Sequence, residues 1–105
     1  MGALTGLTNL QWLFVNQTQV SDLTTLQGLT SLEWLSAKGT SVSDLTPLKR
    51  LTSLQELYLS QTRVSDLTAL QGLTSLQSLS LNQTQVNDEQ VGELRRALPG
   101  LVILR

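Results

Sequence analysis

Leu10, Leu32, Leu54 and Leu76 stand 22 residues apart, and from each of them the same frame of residues runs forward. In the third copy the frame is Leu54, Leu57, Leu59, Thr62, Val64, Asp66, Leu67, Leu70 and Leu73. The first copy has Leu13, Val15, Thr18, Val20, Asp22, Leu23, Leu26 and Leu29 at matching places. The second has Leu35, Ala37, Thr40, Val42, Asp44, Leu45, Leu48 and Leu51. The fourth opens with Leu79, Leu81, Thr84, Val86 and Asp88 and then changes character. Few architectures accept self-similarity at such a period.

The frame contains two shorter periods. Leu57 and Leu59 alternate as strand residues do, with every second side chain on one face. Leu67, Leu70, Leu73 and Leu76 recur every third residue, as a 3₁₀-like or irregular coil places them. One strand and one turning segment make a single coil, which cannot enclose its own leucines. Stacked coils bury one continuous core, with strands about 4.8 Å apart in a parallel sheet. Each well-buried leucine then contributes roughly 1.5–3 kcal/mol before chain entropy is subtracted. The expected fold is an α/β solenoid: a right-handed superhelix with a parallel sheet on the concave face and 3₁₀ or irregular turns on the convex face.

The fourth copy runs 25 residues from Leu76 to Leu101. Within it Asp88 to Leu98 has helical spacing of apolar residues. Asp88 is the expected N-cap, Glu89 lies in the first turn and Arg95 and Arg96 in the last. Pro99-Gly100 stops the helix, and Val102 to Leu104 is expected as a short last strand. The whole of 1–105 is thus read as one repeat domain of about four copies with partial copies at both ends, 87–105 forming an atypical C-terminal cap.

The pattern Leu-x-x-Leu-x-Leu-x-x-Thr-x-Val-x-Asp-Leu-x-x-Leu-x-x-Leu resembles the bacterial 22-residue leucine-rich repeat class, of which the internalins are the best-known members. The resemblance spans Leu4 to Leu104. Thr18, Thr40, Thr62 and Thr84 stand where internalin-type repeats usually carry Asn. The resemblance implies a repeat solenoid that binds a partner; it does not carry over cell adhesion.

Composition excludes several functions. A chain of 105 residues with net charge −1 and scattered basic residues lacks the concentrated positive surface of a non-specific nucleic-acid binder. Its longest apolar runs fall far short of the roughly 18 residues that cross a bilayer, so no membrane insertion is expected. The start shows no basic-then-apolar signal peptide and reads as repeat from Leu4. Histidine and cysteine are absent, so the usual nucleophile–base pairs and zinc sites cannot be built. The expectation is a protein that is not an enzyme and carries no cofactor and no metal.

The two polar ladders have structural explanations. Asp22, Asp44, Asp66 and Asp88 should stack about 5 Å apart, a spacing compatible with a carboxylate pair in a glycosidase or with calcium. Each aspartate, however, starts a turn whose free backbone N–H groups a carboxylate can cap, and capping accounts for all four. Thr18, Thr40, Thr62 and Thr84 could line an ice-binding surface, but the frame turns them inward, to satisfy backbone groups of adjacent coils. Gly6, Gly28 and Gly72 share a frame position with Arg50, so that position needs no left-handed backbone and implies no phosphate loop.

The four aromatic residues carry the functional expectation. Trp12, Phe14, Trp34 and Tyr58 are the only ones, and all fall at strand positions opposite the inward leucines. One outward column reads Trp12, Trp34, Glu56, Ser78, Ile103; the next Phe14, Ser36, Tyr58, Ser80, Arg105; a third Asn16, Lys38, Ser60, Asn82. Clustered exposed rings are what binding hot spots look like, although aromatic residues also suit strands by propensity alone. The expected function is recognition of a protein or peptide by the concave sheet. Trp12 and Trp34 would be anchors, Phe14 and Tyr58 flankers, and Lys38 and Glu56 orienting charges. Two alternatives remain: self-association or a structural role in a larger protein, through an exposed first strand, and carbohydrate stacking on Trp12 and Trp34.

Overall fold

The computed structural model describes residues 11–14 and 28–105, and of Phe14 the backbone alone. Five strands of three residues form one parallel sheet in sequence order. They are β1 (Trp12–Phe14), β2 (Trp34–Ser36), β3 (Glu56–Tyr58), β4 (Ser78–Ser80) and β5 (Val102–Leu104). The register follows the repeat: Leu13 opposes Leu35, Leu35 opposes Leu57, and Leu57 opposes Leu79. Strands this short hold together because their flanks continue the ladder. The Glu56 and Ser78 amides donate to the carbonyls of Glu33 and Gln55, and those of Ala37 and Leu59 to Tyr58 and Ser80.

The leucines of both periods meet inside. Leu35, Leu57 and Leu79 come from the strands; Leu48, Leu51, Leu54, Leu70 and Leu73 come from the return paths; all are fully buried. The third-residue spacing is realised as 3₁₀ turns at Thr46–Leu48 and Thr68–Leu70. Pro47 sits in the first turn of its segment, where a missing N–H costs little. The solenoid of leucine-rich repeats expected from the period is the observed fold, with the sheet on the concave face and these turns on the convex one.

The chain leaves β2, β3 and β4 by the same turn. Thr40, Thr62 and Thr84 donate their hydroxyls to the carbonyls of Ala37, Leu59 and Leu81, at 2.8, 2.7 and 2.8 Å. The threonines face inward, but the bond closes a turn within one coil and does not join adjacent coils. Left-handed backbone appears one residue before each threonine, at Gly39, Gln61 and Gln83, with φ of 73°, 60° and 60°. Glycine holds that conformation without strain, whereas the two glutamines do not.

The closing coil returns through helix α1 (Asp88–Ala97). Its N-cap is Asn87, not Asp88: the Asn87 side chain accepts from the Gln90 amide at 2.9 Å, and Asp88 is the first helical residue. An uncharged amide oxygen one position earlier has the extended backbone a cap requires. Val91 and Leu94 face the core while Arg95 and Arg96 face out. Gln90 reaches back and accepts from the Leu67 amide at 3.0 Å, so the helix also caps the 3₁₀ turn of the coil before it.

The last strand is displaced by one residue from the columns expected above. Ser78 opposes Val102, Leu79 opposes Ile103 and Ser80 opposes Leu104. Ile103 therefore turns toward the core and packs against it, while Val102 and Leu104 look outward. Inner coils place two residues between the last leucine of the return and the first inward strand residue, as with Leu76 and Leu79. Here strict alternation begins at Leu101, and one skipped residue exchanges the two faces of the strand.

Candidate functional site

On the concave side the sheet presents what the leucines do not use. Trp12 is 60% exposed, and Trp34, Glu56 and Tyr58 are half-buried. β1 and β2 place Trp12 beside Trp34, and β3 places Glu56 beside Trp34 in the same column. The ring centroids of Trp12 and Trp34 are 5.7 Å apart with planes tilted by 38°; those of Trp34 and Tyr58 are 6.2 Å apart and tilted by 50°. Tilted rings at these distances attract one another through their quadrupoles. The three rings follow one another along the face.

Tyr58 and Glu56 are two residues apart on one strand and so share a face. The Tyr58 hydroxyl donates to Glu56 Oε1. This bond to the carboxylate is the main cause that raises the phenol above its ordinary value, with burial and the nearby negative charge adding to it. The phenol stays protonated and the carboxylate stays held. Glu56 pairs with no basic side chain among the described residues.

The remaining residues of the expected site are arranged as follows. The Phe14 backbone on β1 pairs with Ser36 of β2, and its side chain lies outside the described residues. Lys38 is exposed just past the end of β2. Asp22, like Thr18, lies outside the described residues. Asp44 accepts from the Thr46 amide at 2.9 Å, and Asp66 accepts from the Thr68 amide and hydroxyl at 2.9 and 2.6 Å. The threonine side chains first, and then the threonine amides, hold both carboxylates below their usual range. Asp88 caps no turn; it pairs with Arg105, whose guanidinium lowers its carboxyl in turn.

The middle of the concave face carries the serines of the sequence columns, and its far end carries two residues those columns did not assign. Ser36, Ser60 and Ser80 are buried in its floor, and the Ser60 and Ser80 hydroxyls lie 2.6 Å apart. Beyond them Val102 and Leu104 stand 55% and 51% exposed. The alternation starting at Leu101 is the signal that would have placed both outward. A groove of about 610 Å³ also opens on the convex side, between the two 3₁₀ turns, lined by Asp44, Lys49, Arg50, Asp66 and Ala69 among others. Its two carboxylates each cap a turn through one oxygen. No cluster of potential metal ligands occurs among the described residues, and no described helix is long and apolar enough to cross a membrane.

Comparison with known proteins bears on the fold. The family model described as leucine-rich repeats in two copies matches residues 30–72 and 52–96. Crystal structures of two Listeria monocytogenes internalins superpose on nearly the whole chain. Internalin C2 is 33% identical over 98% of the chain with a TM-score of 0.91. Internalin F is 31% identical over 99% with the same score. A leucine-rich repeat protein of Leptospira interrogans, 24% identical over 98% of the chain with a TM-score of 0.88, shares the fold. The chain spans 45%, 30% and 27% of the lengths of these three proteins. No curated protein sequence matches it.

Proposed function

The chain belongs to the leucine-rich repeat family, and from that premise we propose that it is a binding module whose concave sheet recognises a protein or peptide. One observation carries the reading: every described ring is gathered on the outer side of a sheet whose inner side is leucine, although Trp12 is left 60% exposed there. Exposing an indole to water forgoes the largest apolar burial a side chain offers. A partner that covers it recovers that burial, and concave solenoid faces are the extended surfaces such proteins use for binding. Trp12 and Trp34 are the anchors in this reading. Tyr58 and Phe14 flank them, and Glu56 and Lys38 orient the partner. We read no catalytic role, because the sequence holds neither histidine nor cysteine and Asp44 and Asp66 already serve as caps.

The test is a display selection of peptides and small domains on the wild-type protein. Selected binders should lose about 2 kcal/mol or more against Trp34→Ala, as a hot spot does, while circular dichroism and the melting temperature stay close to wild type. Binders that are indifferent to Trp12→Ala and Trp34→Ala alike, or that map to the convex turns, would overturn the reading.

A further inference from the structure

We propose that the Trp34–Tyr58–Glu56 corner of the concave sheet is a cation site that takes an arginine side chain of the partner. The inference rests on the concave-face reading above and gives it a chemistry. The indole face of Trp34 and the phenol face of Tyr58 both present negative potential, and Trp is the stronger of the two. Their centroids are 6.2 Å apart and their planes are tilted by 50°. A cation about 4 Å above the seam would lie about 5 Å from both, inside the roughly 6 Å range of the interaction. Trp12 continues the row on the other side of Trp34 at 5.7 Å.

The carboxylate completes the corner. Glu56 sits opposite Trp34 in the sheet register. It is half-buried between two strands that bring no basic group to it: its column holds Trp12, Trp34 and Ser78, and its own strand offers Tyr58. Its one hydrogen bond within the described residues comes from the Tyr58 hydroxyl to Oε1, which leaves Oε2 to accept. The carboxylate is held by a neutral donor beside two rings, and no basic side chain forms an ion pair with it among the described residues. The ion pair formed between described residues, Arg105 with Asp88, lies at the far end of the sheet. An apolar partner side chain would cover the rings but would also bury that charge unpaired, which is costly. A guanidinium avoids the cost. It is planar enough to stack on an indole, weakly hydrated, and able to direct N–H donors at a carboxylate while stacked.

The experiment titrates ¹⁵N-labelled protein with Nα-acetyl-arginine methylamide and, at equal ionic strength, with the neutral citrulline analogue. The readout is the indole N–H resonances of Trp12 and Trp34, the only two tryptophans. Saturable shifts at Trp34 with the arginine probe, at least about fivefold tighter than with citrulline, are expected for a cation over paired rings. Glu56→Gln, which keeps the shape and the hydrogen bond to Tyr58, should erase most of that preference and leave the citrulline titration unchanged. Equal binding of the two probes, an arginine preference that survives Glu56→Gln, or no saturable shift with either probe would each overturn the proposal. None of these outcomes touches the wider reading, which the Trp34→Ala loss among selected binders decides separately.

Discussion

The coil that begins at Leu54 and the coil that begins at Leu76 leave the sheet identically and come back differently. Both pass a left-handed glutamine, Gln61 or Gln83, and both close the turn with a threonine hydroxyl on the carbonyl three residues back. The first then returns through three residues of 3₁₀ turn whose one leucine, Leu70, is buried. The second returns through ten residues of helix with one apolar face and one charged face. The difference reflects what each coil touches. An inner coil is covered on both sides, so a thin apolar return suffices. The helix meets a coil on one side and water on the other, which requires an amphipathic element. Departure from the strand is a local problem with one solution; the return is a packing problem whose solution depends on the neighbours.

The comparison breaks most visibly at the strands. Leu57 is fully buried between two coils, whereas Ile103 on the last strand only packs against the core from one side. Leu57→Asp should abolish folding, because the charge would be buried without a partner. Ile103→Asp should cost only about 1–3 kcal/mol, since its carboxylate can turn to water. Urea unfolding of both variants measures this. A folded Leu57→Asp protein would show that inner and closing strands are equally tolerant, and would remove the basis for treating the inner coils as a continuous core.

Asn87→Ala sharpens the comparison from the other side. It removes the side-chain oxygen that accepts from Gln90, and loss of such a cap costs about 1 kcal/mol. Because Gln90 in turn accepts from the Leu67 amide, fraying of the first helical turn should also loosen the inner coil it caps. Amide exchange at Leu67 should therefore accelerate with Asn87→Ala. Exchange that changes within 88–98 but not at Leu67 would mean the two returns are energetically separate.

Much of this molecule was legible before any coordinates. Leucine spacing of 22 and 3 dictates parallel strands, a shared core and 3₁₀ returns, because no other arrangement buries Leu57, Leu70 and Leu73 together. The helix boundaries followed from Pro99-Gly100 and the apolar period. What escaped was local. The cap moved from Asp88 to Asn87 because both residue types cap well and only backbone geometry separates them. The Val102–Leu104 register moved because three successive apolar residues carry no alternation of their own; Leu101 sets it. The left-handed turns at Gln61 and Gln83 gave no signal, since glutamine is not a residue that favours them. At the concave site the sequence places Trp12, Trp34 and Tyr58 on one face, but the tilt of the rings and the hydroxyl bond from Tyr58 to Glu56 are side-chain choices. No periodicity encodes them.

The smallest expected effect separates two kinds of carboxylate. Asp66 lies in an inner coil and is stabilised as an anion first by the Thr68 hydroxyl and then by the Thr68 amide. Asp88 lies in the closing coil and is stabilised first by its bond to Arg105 and then by that residue's charge. Both carboxyls titrate below their unfolded values. Each therefore supports the fold above the unfolded value near 3.8 and loses that support as pH falls through the lower, folded value. Asp66→Ala and Asp88→Ala should each lower the urea midpoint at neutral pH, and the differences from wild type should close in strong acid. Salt divides them. At about 1 M the Debye length is about 3 Å and an exposed ion pair is largely screened, whereas a hydrogen bond from a neutral donor is not. The Asp88→Ala deficit should shrink in salt while that of Asp66→Ala persists. Equal salt sensitivity would mean that the aspartates of inner and closing coils, despite their different partners, act through the same field.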